Sequence, residues 1–169
     1  SAGWAGLPDI GLLTLSEFTE QAAVLARATT LPLLCDADTG FGEAINVERT
    51  VRLFEEAGAA GIHLEDQILP KRAHHHIGIE HMVPMEFMVE KIKEAIRARR
   101  NPDTHIIART IAVRSTNIDD AIRRCEAYRK AGADSLLLIP YTPEAVRYIG
   151  ERLEPPLVNI LKPGGLTSL

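Results

Sequence analysis

A chain of 169 residues and 18.6 kDa amounts to about one domain of ordinary size, and 46% hydrophobic with 25% charged residues is the balance of a folded globular protein, which excludes disorder, collagen and fibre. The formal charge of −4, from 19 basic and 23 acidic side chains, supplies no basic stripe for nucleic acid, so a small molecule is the expected partner. Apolar runs fall far short of the roughly 20 residues that cross a bilayer, no signal peptide is legible, and Cys35 and Cys125 lack CxxC spacing, so neither a membrane nor a disulfide framework is expected and a cytoplasmic setting is.

In chain order, residues 1–11 read as a loop entering a helix over about 15–28. The run Leu31, Pro32, Leu33, Leu34, Cys35 ends in Asp36 as a strand, and residues 46–57 place Val47, Val51, Phe54 and Ala57 at helical spacing before Gly58. The unit recurs as strand 61–65 with helix 84–98, strand 105–109 with helix 118–131, strand 135–139 with helix 143–153, and a last run over 157–161. Gly58 and Gly132 each close a helix in an Ala-Gly-Ala phrase, where glycine caps the helix before an immediate return into a strand. Runs that are apolar throughout, rather than alternating with polar residues, are parallel strands covered on both faces.

Polar residues gather where the apolar runs stop: Asp36, Asp38, Glu65, Asp66, Arg109 and Asn159. No GxGxxG or GxxxxGK[ST] points to a nucleotide fold, and a (β/α)8 TIM barrel carries its chemistry at the C-terminal strand ends. That fold takes about 250 residues. Five good strands therefore predict a single partial barrel domain over residues 1–169, truncated, with the first and last units missing.

Asp36 and Asp38 stand at i and i+2, which on an extended segment places both carboxylates on one side. With Glu65 they collect three hard oxygen donors, the set that suits Mg²⁺ or Mn²⁺; DADTG is equally readable as a turn. Arg109, at the end of an apolar strand, calls for an anionic partner, either a substrate carboxylate or phosphate or an internal ion pair with Glu65. The tripeptide His74-His75-His76 cannot fold three adjacent side chains onto one metal, which leaves acid–base work or loop polarity. His63 and His105 read as satisfied core or edge histidines, and Tyr128 and Trp4 as packing residues.

Several ordered motifs together carry a resemblance: GLPDIG from Gly6, DADTGFGEAINVERTVRLFEEAGAAGIHLEDQILPKR from Asp36, IIART from Ile106 and AYRKAGAD from Ala127. The sequence resembles the isocitrate lyase / phosphoenolpyruvate mutase superfamily, most of all its methylisocitrate lyase branch. The resemblance implies a Mg²⁺-dependent barrel enzyme, with Mn²⁺ as the alternative, acting as a carbon–carbon lyase or decarboxylase on a small 2-hydroxy or 2-oxo carboxylic acid through a metal-bound enolate. It implies Asp36, Asp38, Glu65 and, through water, Asp9 as metal residues; Ser1, Ala2, Asp36, Arg109 and Asn159 as substrate contacts; His75, Lys71 and Arg109 in catalysis; and a homotetramer. Departures stand beside these. Ala73 replaces the lyases' proton-delivering cysteine, Ile111 stands for their Asp and Tyr141 for their Glu, and Asn159-Ile160-Leu161-Lys162-Pro163-Gly164 lacks their Thr-Glu-Phe. These changes imply a different substrate, and leave phosphonopyruvate-type mutase or hydrolase chemistry, or a non-catalytic relative, as alternatives.

Overall fold

The computed structural model describes residues 2–71 and 81–160. A short helix, α1 (Ala2–Ala5), stands where the sequence reads as loop. It is followed by α2 (Leu15–Ala28), β1 (Leu34–Asp36), α3 (Ala44–Glu56), β2 (Gly61–Glu65), α4 (Met85–Ala98), β3 (His105–Arg109), α5 (Ala112–Ser115), α6 (Ile118–Lys130), β4 (Ser135–Leu137), α7 (Pro143–Gly150) and β5 (Leu157–Val158). The expected strands 61–65 and 105–109 and helix 15–28 are found at those bounds. The sequence reading misses α5, a single turn with no room for helical periodicity, and the outer strands are shorter than their apolar runs. β1 and β5 lie at the sheet margins with one neighbour each, and Pro32 has no N–H to donate to a ladder.

The five strands pair in parallel in sequence order, β1-β2-β3-β4-β5. Each crossover between parallel neighbours is right-handed by the general rule, so an order that never reverses puts every helix on the same side of the sheet. That is part of a barrel wall; a doubly wound sheet would reverse its order. The core lies between wall and helices, where Ile62, Leu64, Ile106, Ala108 and Leu136 meet Val47, Val51 and Phe54 of α3, Met88, Ile92 and Ala95 of α4 and Ile122 and Cys125 of α6. Both cysteines are free and buried.

Local chemistry sets the element ends. Thr14 and Glu17 form a reciprocal capping box at the start of α2, and Asn117 accepts the Asp120 N–H at 2.8 Å to open α6. After α3, Gly58 turns with φ +89°, and the Ala59 N–H reaches back to the Phe54 carbonyl at 3.0 Å, closing the helix so that β2 begins three residues later.

Strand alternation then decides what faces the barrel interior. Ile62 and Leu64 point to the helices, so His63 and Glu65 take the other face. The register pairs Asp36 with His63 and Glu65 with Arg109, bringing the charged ends of three strands side by side. Among the described residues, no helix is long and apolar enough to cross a membrane.

Candidate active site

The segment after β1 is not the extended stretch that the i, i+2 argument assumed. Asp38 has φ 50° and Phe41 φ 58°, and Asp36 Oδ1 accepts the Asp38 N–H at 2.8 Å, so DADTG is a tight turn with Asp36 bent back on its own backbone. The turn is fastened from three sides: Thr50 Oγ1 donates to the Gly40 carbonyl at 2.9 Å, the buried Lys91 ammonium donates to the Thr39 carbonyl at 3.1 Å, and the Glu65 N–H donates to the Asp38 carbonyl at 2.8 Å. Gly40, at φ +91°, leaves no room for a side chain, because a Cβ there would lie 2.7 Å from Val47 Cγ2. The turn reading holds: the segment is a rigid turn, and it aims Asp38 inward.

The acids converge on a lysine. Lys71 Nζ lies 2.9 Å from Asp9 Oδ1, 3.0 Å from Glu65 Oε1 and 3.4 Å from Asp38 Oδ2. Glu65 Oε1 also accepts from Gln67 Nε2 at 2.9 Å, while Arg109 Nη1 stands 3.2 Å from Glu65 Oε2. The Glu65 side chain is fully buried and that of Lys71 is 9% exposed. Even so, among the described residues Asp38 Oδ1, Glu65 Oε2 and Arg109 Nε have no hydrogen-bond partner. Buried charged atoms without partners are costly in a scaffold and characteristic of a site whose ligand completes them.

Protonation follows from these contacts. Burial pushes the Asp38 carboxyl up to about 6; Lys71 opposes that shift, while Glu65 and Asp36 add to it. Burial alone would lower the Lys71 pKa, but Glu65, Asp9 and Asp38 outweigh it and hold the ammonium charged. His63 is driven down first by burial and also by Arg109 and Lys71, with Asp36 and Glu65 pulling the other way, so its neutral form is favoured. His63 Nδ1 is 3.6 Å from Asp36 Oδ1 and has no hydrogen-bond partner. It belongs to the charged interior and is not the satisfied core histidine expected; His105, whose Nε2 meets Ser135 Oγ at 2.7 Å, is.

Of the predicted site residues, the structure gathers Asp9, Asp38, Glu65, Lys71 and Arg109. Asp36 stands beside His63 instead. Asn159 is exposed just past β5. Ser1, His75 with its neighbouring histidines, and Ala73 lie outside the described residues, as does the Ala2 side chain. The donor chemistry fits a hard divalent cation, with carboxylates from three segments around one point and two unpartnered carboxylate oxygens. The spacing, however, is that of an ammonium. Among the described residues no three acidic, thiol or imidazole groups stand close enough to ligate a metal together, since Mg²⁺ needs oxygens at about 2.0–2.1 Å.

Sequence reasoning missed the second charged centre, one residue further on. Asp66 points to the helix side, where its carboxylate accepts from Thr110 Oγ1 at 2.7 Å, Tyr128 OH at 2.8 Å, the Ile111 N–H at 3.1 Å and Arg124 Nη1 at 3.3 Å. Tyr128 is thus a buried hydrogen-bond donor, not a packing residue alone. No local spacing signals it, because its partner lies 62 positions away.

Comparison with known proteins follows the same outline. The model of the family described as phosphoenolpyruvate phosphomutase matches residues 1–168. The 2,3-dimethylmalate lyase of Eubacterium barkeri is 45% identical over 170 residues, covering 100% of this chain and 58% of its own. The oxaloacetate decarboxylase of Rhodopseudomonas palustris is 47% identical over 131 residues, covering 78% of this chain and 45% of its own. The chain thus spans about half the length of these curated relatives. A solved phosphonopyruvate hydrolase, described as a complex with oxalate and Mg²⁺, superimposes with TM-score 0.84 at 33% identity over 94% of this chain and 56% of that one.

Proposed function

The chain belongs to the phosphoenolpyruvate phosphomutase family, within the isocitrate lyase / phosphoenolpyruvate mutase superfamily, and on that premise we propose that the whole protein is a Mg²⁺-dependent carbon–carbon lyase or decarboxylase of a small 2-hydroxy or 2-oxo carboxylic acid. The observation that carries this reading is the convergence of Asp9, Asp38 and Glu65 on one cationic point beside Arg109. Asp38 and Glu65 would hold Mg²⁺, with Asp36 and Asp9 alongside. When bound, the ion supplies positive charge where an oxygen of the reactant becomes anionic.

The chain's own residues do the rest. Arg109, whose guanidinium meets Glu65 through Nη1, is placed to clamp a substrate carboxylate and so to orient the bond that breaks. The Gln67 amide at 2.9 Å and the Arg109 guanidinium at 3.2 Å hold the two oxygens of the buried Glu65 carboxylate in place. The Thr50 and Lys91 contacts fix the turn that carries Asp38, so that the charge is in place before the substrate arrives. Ala73 has no proton to give. That favours a cleavage step needing no acid at that position, as in loss of CO2 from a 2-oxo diacid, and leaves His75 as the candidate acid if the leaving carbon is protonated in the site. The curated relatives named 2,3-dimethylmalate lyase and oxaloacetate decarboxylase, 45% and 47% identical, support carbon–carbon chemistry. A homotetramer, which rests on the family resemblance, and a cytoplasmic location, which rests on the cysteine usage, belong to the same proposal.

Pyruvate is the common product to follow. The full-length protein, supplied with Mg²⁺, should release pyruvate with CO2 from oxaloacetate, or pyruvate with propionate from 2,3-dimethylmalate, and should stop on chelation. Turnover of phosphonopyruvate alone would move the assignment to phosphorus–carbon chemistry. Pyruvate formation that is unchanged in Asp38→Asn would remove the acid cluster from the mechanism.

A further inference from the structure

We propose that the Lys71 ammonium is the resting counter-cation of the acid cluster, and that Lys71 Nζ and a divalent metal ion are alternative occupants of one position, so that metal entry requires Lys71 to leave. This rests on the metal-site reading above and adds to it a competitor built into the chain.

Three observations carry it. The ammonium lies at 2.9, 3.0 and 3.4 Å from oxygens of three carboxylates that come from separate segments of the chain; it sits at their meeting point, not at the margin. Its side chain is 9% exposed while those of Glu65 and Asp38 are 0% and 6% exposed, so its contacts with these two acids are desolvated; the Asp9 side chain, 74% exposed, forms the open side of the cluster. The cluster is also not completed by it: among the described residues the buried Asp38 Oδ1 has no hydrogen-bond partner, and Glu65 Oε2 makes an ion-pair contact with Arg109 Nη1 at 3.2 Å but no hydrogen bond.

The two occupants exclude one another. For a small divalent cation to draw Asp38 and Glu65 oxygens to about 2.1 Å, those oxygens must close on the point Lys71 now holds. A monovalent and a divalent charge cannot share so small a space with little water between them. Lys71 thereby becomes a cation released when metal arrives. It keeps the metal-free acids from repelling one another and lowers the apparent affinity for metal by the cost of its displacement. The freed ammonium is then available beside the substrate.

The test uses Mn²⁺ and Mg²⁺ alone, without substrate, on the full-length protein. Calorimetric titration of Lys71→Met should show Mn²⁺ binding at least tenfold tighter than in the wild type, and its melting temperature should be lower without metal and rise further with it. In the wild type, acetylation of Lys71 by acetic anhydride, read by peptide mass spectrometry, should speed up several-fold when Mg²⁺ is added; this arm stands even if the variant does not fold. Equal or weaker Mn²⁺ affinity in a folded Lys71→Met, or Lys71 labelling indifferent to Mg²⁺ in a wild type that binds it, overturns the competition while leaving the metal site intact. Absence of metal binding in both proteins overturns the metal reading and this inference with it.

Discussion

Glu65 and Asp66 are neighbours in the chain, both fully buried, and they do opposite work. Strand alternation turns Glu65 to the barrel interior, where one of its oxygens has no hydrogen-bond partner and its companions are a lysine, an arginine and other acids. Asp66 turns to the helices, where a hydroxyl, a phenol, a backbone N–H and a guanidinium meet its carboxylate. Burial alone therefore does not distinguish chemistry from scaffold. What distinguishes them is whether the charge is satisfied: a fully bonded buried carboxylate holds elements together, and an incompletely bonded one is held ready.

The contrast can be broken most forcefully at Asp66. Replacing it by Ala strands Arg124, Tyr128, Thr110 and the Ile111 N–H at once, and should cost about 3–5 kcal/mol of stability, measured by denaturant unfolding. A cost below about 1 kcal/mol would mean that the network is decoration. Glu65→Gln sharpens the other half: it keeps the shape, removes the charge, and should cost less stability than Asp66→Ala while weakening Mn²⁺ binding by at least about 100-fold, the upper end of what loss of an outer-shell partner costs. A large loss of stability with metal affinity retained would reverse the roles assigned to the two acids.

The smallest effect belongs to a third carboxylate, Glu55, whose partners are made near the surface. Burial acts to raise its pKa, but the Thr104 hydroxyl, the Arg100 and Asn101 N–H groups and the Arg100 charge together bring it below the ordinary value. A carboxyl whose folded pKa is lowered contributes stability that is present above its unfolded value and fades as pH falls through the folded one. The melting difference between wild type and Glu55→Gln should thus be positive at neutral pH, about 1 kcal/mol or less, and vanish in acid. A difference independent of pH would exclude an ionic origin.

Much of this was legible in one dimension. The helix over 15–28 was read at its observed bounds, and β2 and β3 were legible as apolar runs ended by Glu65 and Arg109. The pairing of those two residues was one of two readings left open, and the structure forms it as an ion pair at 3.2 Å. Asp38 was found for a partly mistaken reason: the extended backbone that made two carboxylates parallel is a left-handed turn, and only Asp38 joins Glu65. His63, read as core, sits in the charged interior because of the residue opposite it on β1, which no property of its own strand discloses.

Periodicity, glycine punctuation and polar strand ends determined the barrel architecture and the strand ends where its charged residues gather, because these follow from contacts among residues near one another in the chain. The convergence of Lys71 on Asp9, Asp38 and Glu65, and of Tyr128 on Asp66, was decided only when the strands took their register. Whether a buried charge is satisfied depends on partners dozens of positions away, and only folding brings those within a few ångströms.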